Sequence, residues 1–265
     1  MREAFFLDAP GSGQRFCLHH TPETVPRGAL LFIHPFAEEM NKSRRMAALA
    51  ARAFAEAGFA VLQIDLHGCG DSSADFGDAT WQGWLDDVSL GRHWLAARHA
   101  GAPLYLWGLR AGCLLASQSA ALAPGLAGQL WWQPPASGKL LAQQWLRLKI
   151  AGEMLAGGGK GSIEPLRQQL KEGLAVEIAG YLCGPALMQG LEAATLAAPA
   201  QRLGWFELTR DQGAGLLPVS ANTIERWQLP SLHAEAVEGP AFWQSSEIEV
   251  APALIERSLA WMAAA

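Results

Sequence analysis

Pro103-Leu104-Tyr105-Leu106-Trp107-Gly108-Leu109-Arg110-Ala111-Gly112 is the stretch on which the reading of the fold turns. Its first half, Pro103 to Trp107, is an apolar run of strand length, of the kind that a strand buried on both faces needs. Its second half runs without a spacer into a helical pattern that continues through Leu122. Gly108 and Gly112 flank the junction, and glycine permits the tight, strained bend that a strand turning directly into a helix requires. Such a bend pushes its central side chain, Arg110, to the C-terminal edge of a sheet and the N-terminus of the next helix.

The same alternation extends in both directions. Upstream, Ala29-Leu30-Leu31-Phe32-Ile33 reads as a strand ending at His34-Pro35. Arg45 to Ala57 places Met46, Leu49, Ala50, Ala53, Phe54 and Ala57 at helical spacing, with Gly58 as the stop. Phe59 to Ile64 is the next strand, and a Trp-rich helix is expected from about Thr80 to Ala97. Downstream, Gly128 to Trp132 is a strand, and strands resume at Leu203–Glu207 and His233–Val237, before a closing helix from about Pro252 to Met262. Strand and helix in this alternation imply a mostly parallel sheet with helices on both faces. The first 27 residues are expected to form an antiparallel edge hairpin. Residues 136–195, Gln-rich and helical in pattern, read as an inserted small helical cap, so that 1–135 and 196–265 form the core.

Composition narrows the function. The 265 residues are 50% hydrophobic and 17% charged, with 28 Gly and 15 Pro, which excludes disorder and coiled coil. A net charge of −5 with scattered Lys and Arg argues against nucleic-acid binding. Cys17, Cys69, Cys113 and Cys183 lie far apart, without metal-ligand spacing, and are expected to be reduced thiols. No metal and no cofactor is called for. The apolar stretch from Gly112 to Trp132 is interrupted by Gln118, Pro124, Gly125 and Gln129, so no membrane span is expected. The opening Met1–Asp8 lacks the features of a signal peptide, and a cytoplasmic location is expected.

Two motif matches fail. Gly157-Gly158-Gly159-Lys160 is followed by Gly161, where a phosphate loop needs Ser or Thr, and Gly68-Cys69-Gly70 has Ser73 at the third glycine of a dinucleotide fingerprint. The informative pattern is the order of three post-strand segments: His34-Pro35-Phe36, Asp65-Leu66-His67-Gly68-Cys69-Gly70-Asp71-Ser72, and the Gly108–Gly112 bend. In that order they resemble the oxyanion loop, sheet-edge loop and nucleophile elbow of an α/β-hydrolase. More narrowly, His34-Pro35-Phe36-Ala37-Glu38-Glu39-Met40-Asn41-Lys42-Ser43-Arg44-Arg45, the 65–72 segment, Trp107–Arg110 and Phe242-Trp243-Gln244 are similar to the exosortase A system-associated hydrolase 2 family. This resemblance implies the α/β-hydrolase fold and a connection to bacterial exopolysaccharide biosynthesis or export. It implies no particular reaction.

The chain departs from the hydrolase pattern at the elbow. A hydrolase carries Ser, Cys or Asp there, and this chain carries Arg110, whose guanidinium has five donors, no acceptor and a pKa above 12. The loop after the last strand, Glu238-Gly239-Pro240-Ala241-Phe242-Trp243-Gln244, contains no His, and His233 comes too early. Asp211 stands where the triad acid is expected, without a His to orient. An ordinary Ser-His-Asp triad is therefore not expected. Arg110, the N–H groups of Ala111 and of Phe36 or Ala37, and the helix N-terminus would together make an anion site for a carboxylate, phosphate or sulfate, on a sugar or an acyl carrier. The competing reading has Arg110 paired with Glu38, Glu39 or Asp211 as a structural plug.

Other groups enter as lesser candidates. His34 could act as acid or base, or hold the backbone. Ser72 with His34 or His67 is the one displaced nucleophile pair worth testing, while Cys113 reads as core. Eleven tryptophans are many for this length, and Trp132 and Trp243 are expected near the pocket mouth, where they would suit a glycan-linked ligand. Three functions remain open: a ligand-binding pseudoenzyme of exopolysaccharide systems, an ester or thioester hydrolase or acyltransferase with a non-standard site, and a scaffold for a protein partner.

Overall fold

A computed structural model describes residues 1–122, 125–155, 157, 161–211 and 213–264. Pro124 and the Gly158-Gly159-Lys160 part of the glycine run lie outside the described residues. The strands are β1 (Arg2–Asp8), β2 (Gln14–His20), β3 (Gly28–Ile33), β4 (Phe59–Ile64), β5 (Leu104–Leu109), β6 (Leu126–Trp132), β7 (Val176–Ile178), β8 (Tyr181–Cys183), β9 (Arg202–Thr209) and β10 (Leu232–Glu238). The helices are α1 (Glu38–Glu56), α2 (Trp81–Arg98), α3 (Ala111–Leu122), α4 (Gly138–Leu155), α5 (Ile163–Lys171), α6 (Pro185–Ala193), α7 (Pro218–Trp227) and α8 (Pro252–Ala263).

Eight strands form one sheet in the order β1-β2-β4-β3-β5-β6-β9-β10. β1 and β2 are the antiparallel edge hairpin, and β2 pairs antiparallel with β4; the remaining pairs are parallel. This is the α/β-hydrolase fold. Every residue of β3 and β5 is buried, as their uninterrupted apolar runs require. Two apolar layers sandwich the sheet: Phe54 of α1 packs with Trp261 and Met262 of α8 on one face, and Trp84 of α2 packs with Leu114 of α3 on the other.

Register decides where the loops meet. Ile33 pairs with both Ile64 and Gly108, and Trp132 with both Leu109 and Phe206. The segments after β3, β4, β5, β6 and β9 therefore leave one edge of the sheet side by side. Between β6 and β9 lie α4, α5, the β7–β8 hairpin and α6, and Trp145 of α4 stacks edge-on against Phe36 at this edge, ring centroids 4.3 Å apart.

Three features differ from the sequence reading. α1 begins at Glu38, two turns before the expected Arg45, because Met40 and Ser43 turn inward while Glu38 and Glu39 occupy a first turn that favours negative charge. The 136–195 segment is not all helix: Ala179 (φ 50°) and Gly180 (φ 84°) turn the β7–β8 hairpin, whose three-residue strands are too short to show a period. α7, which has no clear helical pattern in the sequence, carries Pro218 at its start and packs Ile224 and Trp227 on the core.

Candidate functional site

The β5–α3 bend has the strained geometry its glycines anticipate. Arg110 sits at φ 54°, the left-handed region that costs a non-glycine residue energy. A Cβ on Gly112 would overlap the Ile33 carbonyl oxygen, and one on Gly108 would come 2.7 Å from the Cys113 nitrogen. The backbone is held by the Arg110 N–H donating to the Trp132 carbonyl at 3.0 Å and the Cys113 N–H donating to the Arg110 carbonyl at 2.9 Å. Ala37 (φ 55°) and Gln133 (φ 47°) are strained at the same edge. Such outliers gather where a fold over-determines its loops, which active edges commonly do.

The Arg110 guanidinium grips the Glu39 carboxylate. Its Nε donates to Oε1 at 3.2 Å and Oε2 at 3.3 Å, and its Nη2 donates to Oε1 at 3.1 Å. The two side chains are only 13% and 18% exposed, so solvent screens the pair little. Gln144 of α4 approaches Nη2 at 3.5 Å, and the Trp243 ring faces the guanidinium carbon at 5.6 Å. Trp243 itself is buried. Gln144 was missed, since nothing in its local sequence ties α4 to the elbow. Ala37 and Ala111 are buried, and among the described residues neither N–H has a hydrogen-bond partner. A cleft of about 640 Å³ is lined by Leu148 of α4, Leu208, Arg210, Ala241 and Gln244, and by none of Arg110, Glu39, Gln144 or Trp243.

The remaining candidates are placed elsewhere or engaged. His34 is buried between two backbone groups: Nδ1 lies 2.5 Å from the Pro35 carbonyl, and Nε2 accepts from the Leu66 N–H at 3.0 Å. Those partners require the neutral ring, and burial lowers its pKa, against opposition from Asp65 and the Pro35 hydrogen bond. Both nitrogens being used, His34 holds β3 to the loop after β4. The Ser72 hydroxyl donates to the Asp65 carbonyl at 2.5 Å and accepts from the Phe16 N–H at 2.9 Å, so neither His34 nor His67 activates it. Asp211 is exposed on the turn after β9, and its carboxylate makes no bond to Arg110 among the described residues. His233, within β10, is half-exposed and faces Glu235 at 3.2 Å.

Trp132 stands in the core and not at the mouth. Its indole donates to Ser258 at 2.9 Å and its ring packs edge-on to Trp107 at 4.7 Å. Phe36 is buried between Trp84 and Trp145. All four cysteines are free and buried, and burial drives the Cys69 and Cys113 thiols far above the range in which they react. Among the described residues no group of three potential metal ligands gathers, and no helix is long and apolar enough to cross a membrane.

Residues 24–157 match the family model described as "Serine aminopeptidase, S33". The chain belongs to this family. No curated protein matches it by sequence. Among solved structures it is similar to the ferulic acid-bound Est1E of Butyrivibrio proteoclasticus, with TM-score 0.72 and 17% identity over 98% of this chain and 100% of that one. It is similar as well to a highly thermostable carboxyl esterase from Bacillus coagulans (TM-score 0.67, 14% identity, 99% and 98% covered). A third is XC6422 of Xanthomonas campestris, described as a serine hydrolase without a lid (TM-score 0.56, 19% identity, 99% and 92% covered). At these identities the likeness carries the α/β-hydrolase fold alone.

Proposed function

We propose that this chain is a non-hydrolytic α/β-hydrolase whose elbow has become an anion receptor, with Arg110 standing where a hydrolase keeps its nucleophile. What supports the reading is the two-nitrogen grip by which Arg110, at a strained bend, already holds a carboxylate, that of Glu39, although the same pairing is the contact the plug reading expects. A guanidinium fork suits planar anions, and a half-buried pair is stronger than an exposed one. The ligand's carboxylate, phosphate or sulfate would exchange with Glu39, whose own carboxylate is stable when released because it lies in the first turn of α1. The rest of the ligand would occupy the cleft beside Ala241 and Gln244, with residues 136–195 acting as the cap over it.

The similarity to the exosortase-associated hydrolases favours a sugar-linked anion and a role in exopolysaccharide production in the cytoplasm. The site's chemistry is compatible with that role without requiring it. A hydrolytic alternative draws on one observation, that a glutamate lies against Arg110: Glu39 would activate water while Arg110 steadies the developing oxyanion.

A thermal-shift screen of wild type and Arg110→Ala against phosphate, sulfate, uronic acids, nucleotide sugars and acyl-CoA tests the reading. A ligand at a hundredfold excess over Kd adds ~2.7 kcal/mol of stability. The expected result is a shift with an anionic compound that the variant loses, together with no turnover of p-nitrophenyl esters by either protein. Equal shifts in both proteins contradict the receptor, and wild-type turnover lost in Glu39→Gln would establish the hydrolytic alternative instead.

A further inference from the structure

A second ligand-sized space lies away from the elbow, along the flank of α1 that faces β2. Arg44, Ala48, Arg52 and Glu56 recur every four residues and so line one side of the helix. Phe16, Leu18 and His20 alternate along β2 and share one face of the sheet. Two cavities follow one another between these rows. The first, of about 230 Å³, is walled by Phe16, Leu18, Phe32, Met40, Ala48 and Gln63, with the Arg44–Asp65 ion pair (2.9 Å) also on its lining. The second, of about 610 Å³, is lined by His20, Arg2, Arg52, Ala55, Glu23 and Glu56. A hydrogen bond of 3.1 Å between His20 Nε2 and Gln63 Oε1 joins the two linings.

The two ends differ in character. The 230 Å³ end is mainly apolar and larger than the ~150 Å³ cavity that accepts a benzene. The half-exposed Phe6 packs edge-on to Phe16, one of its lining residues, at 5.6 Å. The wider end carries charge of both signs, Arg2 and Arg52 with Glu23 and Glu56. Arg2 and Arg52 form no ion pair among the described residues. Burial lowers the His20 pKa most, the Gln63 hydrogen bond opposes this, and Arg2, Arg52 and the amino group of Met1 lower it further. From Arg44 to Arg52 the helix advances about 12 Å, the reach of a medium-length acyl chain.

We propose that this trough binds a medium-chain carboxylate, its tail in the apolar cavity beside Phe16 and Met40 and its carboxylate between Arg52 and Arg2. An apolar wall for the chain and unpaired guanidinium groups for the head are what such an amphiphile needs. The site is separate from the Arg110 cluster and does not depend on it.

Calorimetric titration and thermal shift with octanoate, 1-octanol, acetate and inorganic phosphate test the proposal on wild type, Ala48→Phe, Arg52→Gln and Arg110→Ala. Octanoate is expected to bind wild type at least about tenfold more tightly than octanol or acetate. Arg52→Gln, an exposed position that leaves the fold intact, should reduce octanoate to the level of octanol. Ala48→Phe should weaken octanoate and octanol alike by filling the chain's path, and Arg110→Ala should bind octanoate as wild type does. Octanoate binding lost only in Arg110→Ala would assign the acid to the elbow and overturn the proposal. So would octanoate binding no better than octanol or unchanged by Arg52→Gln, or pelleting with phosphatidylglycerol vesicles without any response to free octanoate.

Discussion

Arg110 and its neighbours govern the chemistry available at the sheet edge. A guanidinium cannot attack a carbonyl, and the ring that meets it across the site is the Trp243 indole, which can neither take nor return a proton. Under the proposed reading, placing a hydroxyl at position 110 should not create a hydrolase. Arg110→Ser is expected to hydrolyse p-nitrophenyl acetate no faster than a heat-treated control, because His34 spends both nitrogens on backbone groups. Turnover above that control would mean another base reaches the elbow. Gly112 is the other decisive residue. Ala at this position pushes a methyl into the Ile33 carbonyl, which belongs to a central strand and cannot step aside, so Gly112→Ala should cost about 3 kcal/mol or more in urea unfolding. At this scale the sequence was legible wherever chemistry follows from residue type: the elbow glycines, the unreactive Arg110 and the aromatic Trp243 were all readable. Which acid meets Arg110 was not, because Glu38, Glu39 and Asp211 differ only in where the chain carries them. Trp132 misled because a strand sends neighbours to opposite faces. Trp131 joins Trp205 and Trp227 on one side of the sheet, and Trp132 joins Trp107 on the other.

Elements are held together by a few buried polar ties, and these set the pH response. β2 is fastened to α2 by the Arg15–Asp87 pair, 2.6 Å apart with both side chains almost fully buried, while Asp87 also accepts from the His67 N–H at 2.7 Å. Arg15→Met would leave a buried carboxylate unpaired and should destabilise by about 3–5 kcal/mol, read from the urea midpoint. Near the ends of the same two elements, His19 Nε2 meets His99 Nε2 at 3.0 Å. Burial, and secondarily His99, lower the His19 pKa from 6.5 to about 4. The unfolded chain therefore takes up this proton before the folded one does. The stability is whole above pH 6.5 and drains away as pH falls toward 4. The melting temperature should drop across that window, and His19→Leu should flatten the drop; an unchanged slope in the variant would show that other groups set it. Elements buried on both faces, β3 to β6, announce themselves as apolar runs. The first two turns of α1, the β7–β8 hairpin and α7 do not, because short or half-solvated pieces take their form from packing.

For the whole molecule, the alternation of strands and helices is enough to imply a parallel sheet, and register then brings the loops after β3, β4 and β5 to one edge whatever their function. That is why the fold was readable and the activity was not: the α/β-hydrolase scaffold delivers a site at this edge, and the side chains placed there decide its use. The proposed receptor requires Arg110 to take an external anion in exchange for Glu39. The most direct measurement follows the Arg110 Nε–H resonance by ¹H–¹⁵N NMR, assigned through its loss in Arg110→Lys, while glucuronate and then uncharged glucose are added. A saturable shift with glucuronate, absent with glucose and reached at lower concentration in Glu39→Gln, is the predicted result. A resonance that glucuronate, phosphate, sulfate and acyl-CoA all leave unmoved would contradict the receptor and make the Arg110–Glu39 pair a structural plug.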